Sequence, residues 1–148
     1  MKSQWDCLRE NLGEWQGSFT QFGPDGNELT DTPSVLILEE QPEQKTIRLV
    51  LRRWHNLPPG KSRDDVTPQE MVRSFTYPGP GYTVPFFETG AFSQGSLQWA
   101  PFGQFGAELA LTADNRRLRF VQLFEGTVDG KTRFSSFRNM LIRSELSV

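Results

Sequence analysis

Apolar and polar positions change period early in the chain. Between Ser3 and Leu12, Trp5, Leu8 and Leu12 fall on one helical stripe. Ser3 stands where it caps the first turn, Asp6 occupies the capping-box position and Gly13 closes the element. The spacing predicts a helix over residues 3–12, with Cys7 off the buried stripe. A helix this short is marginal alone, so its stripe has to dock on something. From Trp15 onward the period falls to two. WQGSFTQF ends at the turn GPDGN, ELTDTPSVLILEE runs out on the far side, and KTIRLVLRRW alternates Ile47, Leu49 and Leu51 against Arg48 and Arg52. HNLPPGKSRDDVTPQ reads as a long loop or short helical turn, and MVRSFTY as a strand stopped by PGPG. Further on, GAELALT, RRLRFVQLFEG and RFSSFRNMLIRSEL read as three long strands joined by tight turns at ADN and VDGK.

Strands that follow one another through short links, with no helix between them, form an antiparallel meander. Such a meander leaves two free edges unless it closes, and about eight strands close into an up-and-down barrel just wide enough for side chains or one small ligand. The expectation is therefore an all-β fold: a single domain over residues 1–148, an antiparallel barrel of about eight to ten strands with one short N-terminal helix. A sandwich is the competing arrangement.

The segment FFETGAFSQGSLQWAPFGQFGAELAL, residues 86–111, sets Phe86, Phe87, Phe92, Trp99, Phe102 and Phe105 among Gly90, Gly95, Gly103 and Gly106. Glycines let a barrel strand bend sharply, and rings between them supply volume. The rings then either line a hydrophobic hollow or plug it.

Composition narrows the partners. The 148 residues carry a net charge of −2, which offers no basic field to a nucleic-acid backbone. Twelve Arg stand against four Lys, and Arg is the cation that grips carboxylates bidentately and stacks on rings. The single cysteine, Cys7, excludes an internal disulfide framework and a zinc ribbon, and no metal site is expected. The first residues show no apolar leader and no run of eighteen apolar residues occurs, so the expected location is cytoplasmic with no membrane span.

A ligand in an apolar hollow needs polar anchors. Arg138 alternates in phase with Phe134, Met140 and Ile142, which makes it the foremost inward cation, with Arg52 and Arg73 joining it if their strands border the mouth. An inward Arg grips a ligand carboxylate. Equally, it pairs with Glu88 or Glu108 as a structural ion pair. In RRLRFVQLF, Leu118, Phe120 and Phe124 share one face with Gln122, while Arg117 and Arg119 share the other with Val121 and Leu123. The candidate ligand-binding residues are Arg138, Arg52, Arg73, Glu88, Phe87, Phe92, Trp99 and Phe105. For catalysis the case is thin. Glu88 and Glu108 have no accompanying nucleophile, His55 beside a proline loop reads as solvent-facing, and no nucleotide-binding, nucleophile-elbow or zinc-protease motif occurs.

Gly13-Glu14-Trp15 stands where the helix hands over to the first strand, and Arg143 sits in the last. Lipocalin-like (calycin) barrels carry a similar G-x-W, with a late Arg packed over the indole, so Gly13, Trp15 and Arg143 are implied to close the barrel bottom by a cation–π contact. Residues 86–111 followed by RRLRFVQLFEG, with the opening QWDCLRENLGEWQGSF and the closing LIRSEL, resemble a lipocalin-like family of unknown function found chiefly in cyanobacteria and plastid-bearing organisms. The S-type phycobiliprotein lyases, which hold a bilin for transfer, are similar in outline. Nitrobindins share the opening Gly13-Glu14-Trp15-Gln16-Gly17, but they bind haem through a late histidine and the only histidine here is His55. The resemblance implies a calycin barrel, and the family itself brings no established activity. A barrel with inward arginines is expected to bind, without catalysis, a small hydrophobic, carboxylate-bearing ligand, fatty-acid-like or a tetrapyrrole; the photosynthetic organisms in which the family occurs put the tetrapyrrole first. The alternatives are a bilin lyase serving a phycobiliprotein subunit and a plugged barrel acting in assembly.

Overall fold

The structure is a computed structural model and describes residues 1–97, 104–126 and 132–143; for 132–143, and for Tyr82, Gln104 and Gly126, it describes the backbone alone. Helix α1 (Gln4–Arg9) is shorter than the stripe suggested, but its capping box forms as expected. The Ser3 hydroxyl accepts from the Asp6 amide, and the Asp6 carboxylate accepts from the Ser3 amide. Trp5 and Leu8 are buried, and so is Cys7 at 2% exposure, contrary to its position off the stripe. The reason is that α1 is covered on a second side. Gln4 donates to the Phe86 carbonyl and accepts from the Phe86 amide, both at 2.8 Å, which presses residues 86–91 against the helix.

Eight strands follow: β1 (Gly13–Phe22), β2 (Glu28–Gln41), β3 (Thr46–Arg53), β4 (Gln69–Thr76), β5 (Phe92–Gly95), β6 (Gln104–Ala113), β7 (Arg116–Gly126) and β8 (Thr132–Arg143). All pairings are antiparallel, in the order β4-β3-β2-β1-β8-β7-β6-β5. First and last strands lie side by side, which is the ring order of an up-and-down barrel. Closure of the ring is where the expectation needs correcting. No described ladder joins β4 to β5, so the hydrogen-bonded wall stays open there. Four-residue β5 offers little edge to pair, and Val84 and Phe86, which precede it, belong to the same core as Met71 and Phe75 of β4.

The concave face holds the core, with Trp15, Leu36, Leu38, Ile47, Leu51 and Ala110 all at 5% exposure or less. Glycines in the aromatic segment serve close approach as much as bending. A Cβ on Gly106 would lie 2.3 Å from the Gln122 carbonyl oxygen of β7, and Gly90 takes φ +81° in the turn beneath α1. On β7 the parity is unusual. Leu118 and Phe120 point outward at 39% and 40% exposure, opposite the similarly exposed Leu111 and Leu109 of β6, while the alternate positions, Arg117 and Arg119, turn inward. The wall thus carries greasy residues outside and guanidinium groups inside.

Candidate functional site

The floor of the hollow is built on Trp15. Its indole Nε1 donates to the Asn11 carbonyl at 2.9 Å, which fixes the ring against the end of α1. The Arg117 guanidinium lies over that ring, 3.9 Å from its centroid. Asn11, itself 1% exposed, accepts from Arg117 Nη2 at 2.5 Å and donates to the Gly90 carbonyl at 3.0 Å. One asparagine therefore ties together α1, the turn at Gly90 and the inner face of β7. Burial, and then repulsion from Arg119 partly offset by Glu108, pushes the Arg117 guanidinium down to about 9; it keeps its charge at neutral pH. Its Nε is buried with no partner among the described residues.

Above this floor is a cavity of about 290 Å³ whose apolar wall includes Leu36, Leu49, Met71, Phe75 and Phe92. Four guanidinium groups also border it, Arg53, Arg73, Arg117 and Arg119, and no described carboxylate does. Phe19, Arg53 and Arg119 line both this cavity and a wider, more polar vestibule of about 880 Å³ toward the end of the sheet away from α1. Glu108 enters from the vestibule side, 8% exposed, ion-paired with Arg119 and accepting from Gln94. Arg119 is thereby neutralised. Arg53 is not: its Nη2 donates to the neutral side chain of Gln69 at 3.2 Å, and its buried Nε has no partner among the described residues. A cluster of cations in an apolar hollow, with fewer carboxylates than guanidinium groups, is arranged to receive an anion.

A family model described as "Domain of unknown function (DUF3598), N-terminal" matches residues 1–137. The chain belongs to the DUF3598 family. A solved structure of a DUF3598 protein of unknown function from Nostoc punctiforme is 38% identical, with a TM-score of 0.78; the match covers 100% of this chain and 48% of that one. The chain thus spans about half the length of that relative. An S-type phycobiliprotein lyase, CpeS from Guillardia theta, has the same fold at 10% identity and a TM-score of 0.61, with 97% of this chain and 94% of that chain covered. No curated protein matches in sequence.

Within this DUF3598 domain the expected site residues scatter. Arg73 and Phe92 border the apolar cavity. Phe105 is half-buried, stacked on Phe124 with centroids 4.9 Å apart, and lines a separate shallow depression along β5 and β6. Arg52 faces solvent and pairs with Glu70 at 3.0 Å, because it lies out of phase with Ile47, Leu49 and Leu51. Phe87 is 51% exposed and Glu88 accepts from the Lys2 amide on the surface, so neither reaches the hollow. Trp99, Phe102 and Gly103 lie outside the described residues. Arg138 sits in register between Gln21 of β1 and Val121 of β7, both of which line the vestibule; its side chain is outside the described set. Gly13 takes φ +116°, Trp15 is buried, and Arg117 lies over the indole; the side chain of Arg143, expected there, is outside the described set. The backbone register is described. Arg143 pairs with Gln16, the parity opposite to Trp15, whereas Arg117 shares a row with Ile142 and Gly17. Arg53, Arg117, Arg119 and Asn11 were missed as site residues. The signal was present: Arg53 continues the phase of Leu49 and Leu51, and Arg117 and Arg119 share that of Val121 and Leu123.

His55 lies at the rim of the vestibule, exposed, with Nε2 2.9 Å from Gln69 Oε1. Among the described residues no group of His, Cys, Asp and Glu is placed to hold a metal, and no helix is long and apolar enough to cross a membrane.

Proposed function

We propose that this domain binds, without chemical turnover, a small hydrophobic ligand carrying a carboxylate, and that a tetrapyrrole or similar pigment is its first candidate. The observation that carries this reading is the excess of guanidinium groups over carboxylates around the apolar cavity, with Arg53, Arg73 and Arg117 lacking an acidic partner among the described residues. Of the three, Arg117 is buried, Arg53 half-buried and Arg73 exposed. Burying a cation such as Arg117 without a counter-ion costs several kcal/mol, roughly, and an acidic ligand recovers that cost through charge-assisted hydrogen bonds. The apolar wall then takes up the body of the ligand. A fully plugged barrel would leave no room of this size.

The fold shared with an S-type lyase supports a second reading, in which the ligand is a bilin presented to an acceptor on a phycobiliprotein subunit. Titrating the protein with biliverdin, haem and hexadecanoate, followed by visible absorbance and tryptophan quenching, tests the first reading. Saturable binding of at least one supports it, and no binding by any refutes it. Incubation of a bilin-loaded sample with an apo-phycobiliprotein tests the second, read as a coloured band surviving denaturing electrophoresis.

A further inference from the structure

We infer that the cavity contains two separate anion subsites, centred on Arg53 and Arg117, and that its ligand is an amphiphile with two acidic groups. The inference rests on the binding reading above and goes one step past it. Following the register across the sheet, Arg53 of β3 pairs with Ser34 of β2, Ser34 with Gly17 of β1, Gly17 with Ile142 of β8, and Ile142 with Arg117 of β7. The two arginines therefore lie on one continuous ladder row. Four strand steps separate them, about 19 Å along the wall. In a ring of eight strands, four steps lead to the opposite side.

The two sites are chemically alike. Each guanidinium donates one Nη to a neutral side-chain amide, Gln69 for Arg53 at 3.2 Å and Asn11 for Arg117 at 2.5 Å. The amide fixes the orientation of the fork and leaves its charge uncancelled. Each also carries a buried Nε with no partner among the described residues. Buried donors are nearly always satisfied, and a guanidinium edge accepts a carboxylate bidentately. Both arginines are also tethered, Arg117 by the stack on Trp15 of β1 and Arg53 by Gln69 at the start of β4. The cavity that both arginines border, walled by Phe19, Leu36, Leu49 and Leu51, takes up the body of a ligand between them. Linear α,ω-dicarboxylates and the paired side-chain acids of a tetrapyrrole share this chemistry.

The test compares hexadecanedioic acid and biliverdin, each with its own monomethyl ester, by tryptophan quenching at pH 7.5 on the full chain. In the native protein at least one diacid should bind ten-fold or more tighter than its ester; which pair shows the gap identifies the source of the acids. Arg53→Gln should remove the gap for hexadecanedioic acid or for biliverdin while leaving the monomethyl ester within about twofold. Arg117→Lys, which keeps the charge, covers the case in which Arg53→Gln does not fold. Equal binding of each diacid and its ester refutes the two-subsite inference and leaves the single-acid reading standing. Absence of binding by all four compounds overturns both.

Discussion

Arg117→Met separates a ligand anchor from a structural cation. In the unliganded protein the change removes a desolvated cation–π contact with Trp15, about 2 kcal/mol, and a charge-assisted hydrogen bond to Asn11, about 1.5–3 kcal/mol, and it leaves the buried Asn11 side-chain oxygen without that donor, about 1–3 kcal/mol. Against this stand two gains. A buried cation with no acidic partner among the described residues is eliminated, relieving several kcal/mol, roughly, and so is the orphaned Nε, about 1–3 kcal/mol. The thioether of Met lies along the indole and recovers about 0.3–1.5 kcal/mol. The two sides nearly balance, so urea unfolding should show a change within about 1 kcal/mol. Binding has no such balance. A carboxylate that loses its charged donor loses about 1.5–3 kcal/mol, an affinity drop of about 10- to 150-fold. Retained stability with lost affinity for biliverdin or hexadecanoate is the expected pair of results. Destabilisation of about 3 kcal/mol or more with affinity unchanged would mean that Arg117 holds the fold together and takes no part in the site.

Glu108→Gln removes the carboxylate that neutralises Arg119, so acidic ligands should bind about three-fold tighter or better while the midpoint of thermal unfolding falls; weaker binding would place Glu108 among the groups that hold the ligand. Affinity for a carboxylate should be flat from pH 6 to 8 and decline as pH rises through about 9, where Arg117 loses its proton; affinity constant up to pH 10.5 would remove its charge from the argument. The folded value lies below the unfolded one, so the unfolded chain holds more protons between the two and this group alone makes stability rise with pH there. Gly106→Ala puts a Cβ 2.3 Å from the Gln122 carbonyl, a clash between strands β6 and β7 that should cost about 3 kcal/mol, and a change under 1 kcal/mol in urea unfolding would show that the strands can part.

Local rules of the chain were readable where one element decides them. Ser3 and Asp6 announce the start of α1, GPDGN and ADN announce turns, and the uninterrupted strand pattern announces the meander. What depends on several elements at once was not. Cys7 is buried because residues 86–91 fold back over α1, which no helical stripe records. The open seam between β4 and β5 follows from the shortness of β5 and from a proline-rich connection whose path is tertiary. Arg52 and Phe87 each stand one residue from the side chain that reaches the hollow, Arg53 and Phe86, and a shift of one reverses every face of a strand.

The inverted parity of β7 has a single physical origin, and it is also the best sign of function. Binary patterning favours burying Leu118 and Phe120 and exposing Arg117 and Arg119. The alternative register wins because Arg117 finds the Trp15 ring and the Asn11 amide, while Arg119 finds Glu108 and the rings of Phe19 and Phe92 at 5.6 and 5.7 Å. Each of these partners satisfies a guanidinium without making it a good core residue. Leucine at both positions would bury more apolar surface and leave no orphaned Nε. A chain that turns two arginines inward and two large apolar side chains outward, along the same strand, forgoes stability that a simpler pattern supplies. Such local violations concentrate at sites that bind something, and here they coincide with the one region of the described interior where an apolar wall meets uncancelled positive charge.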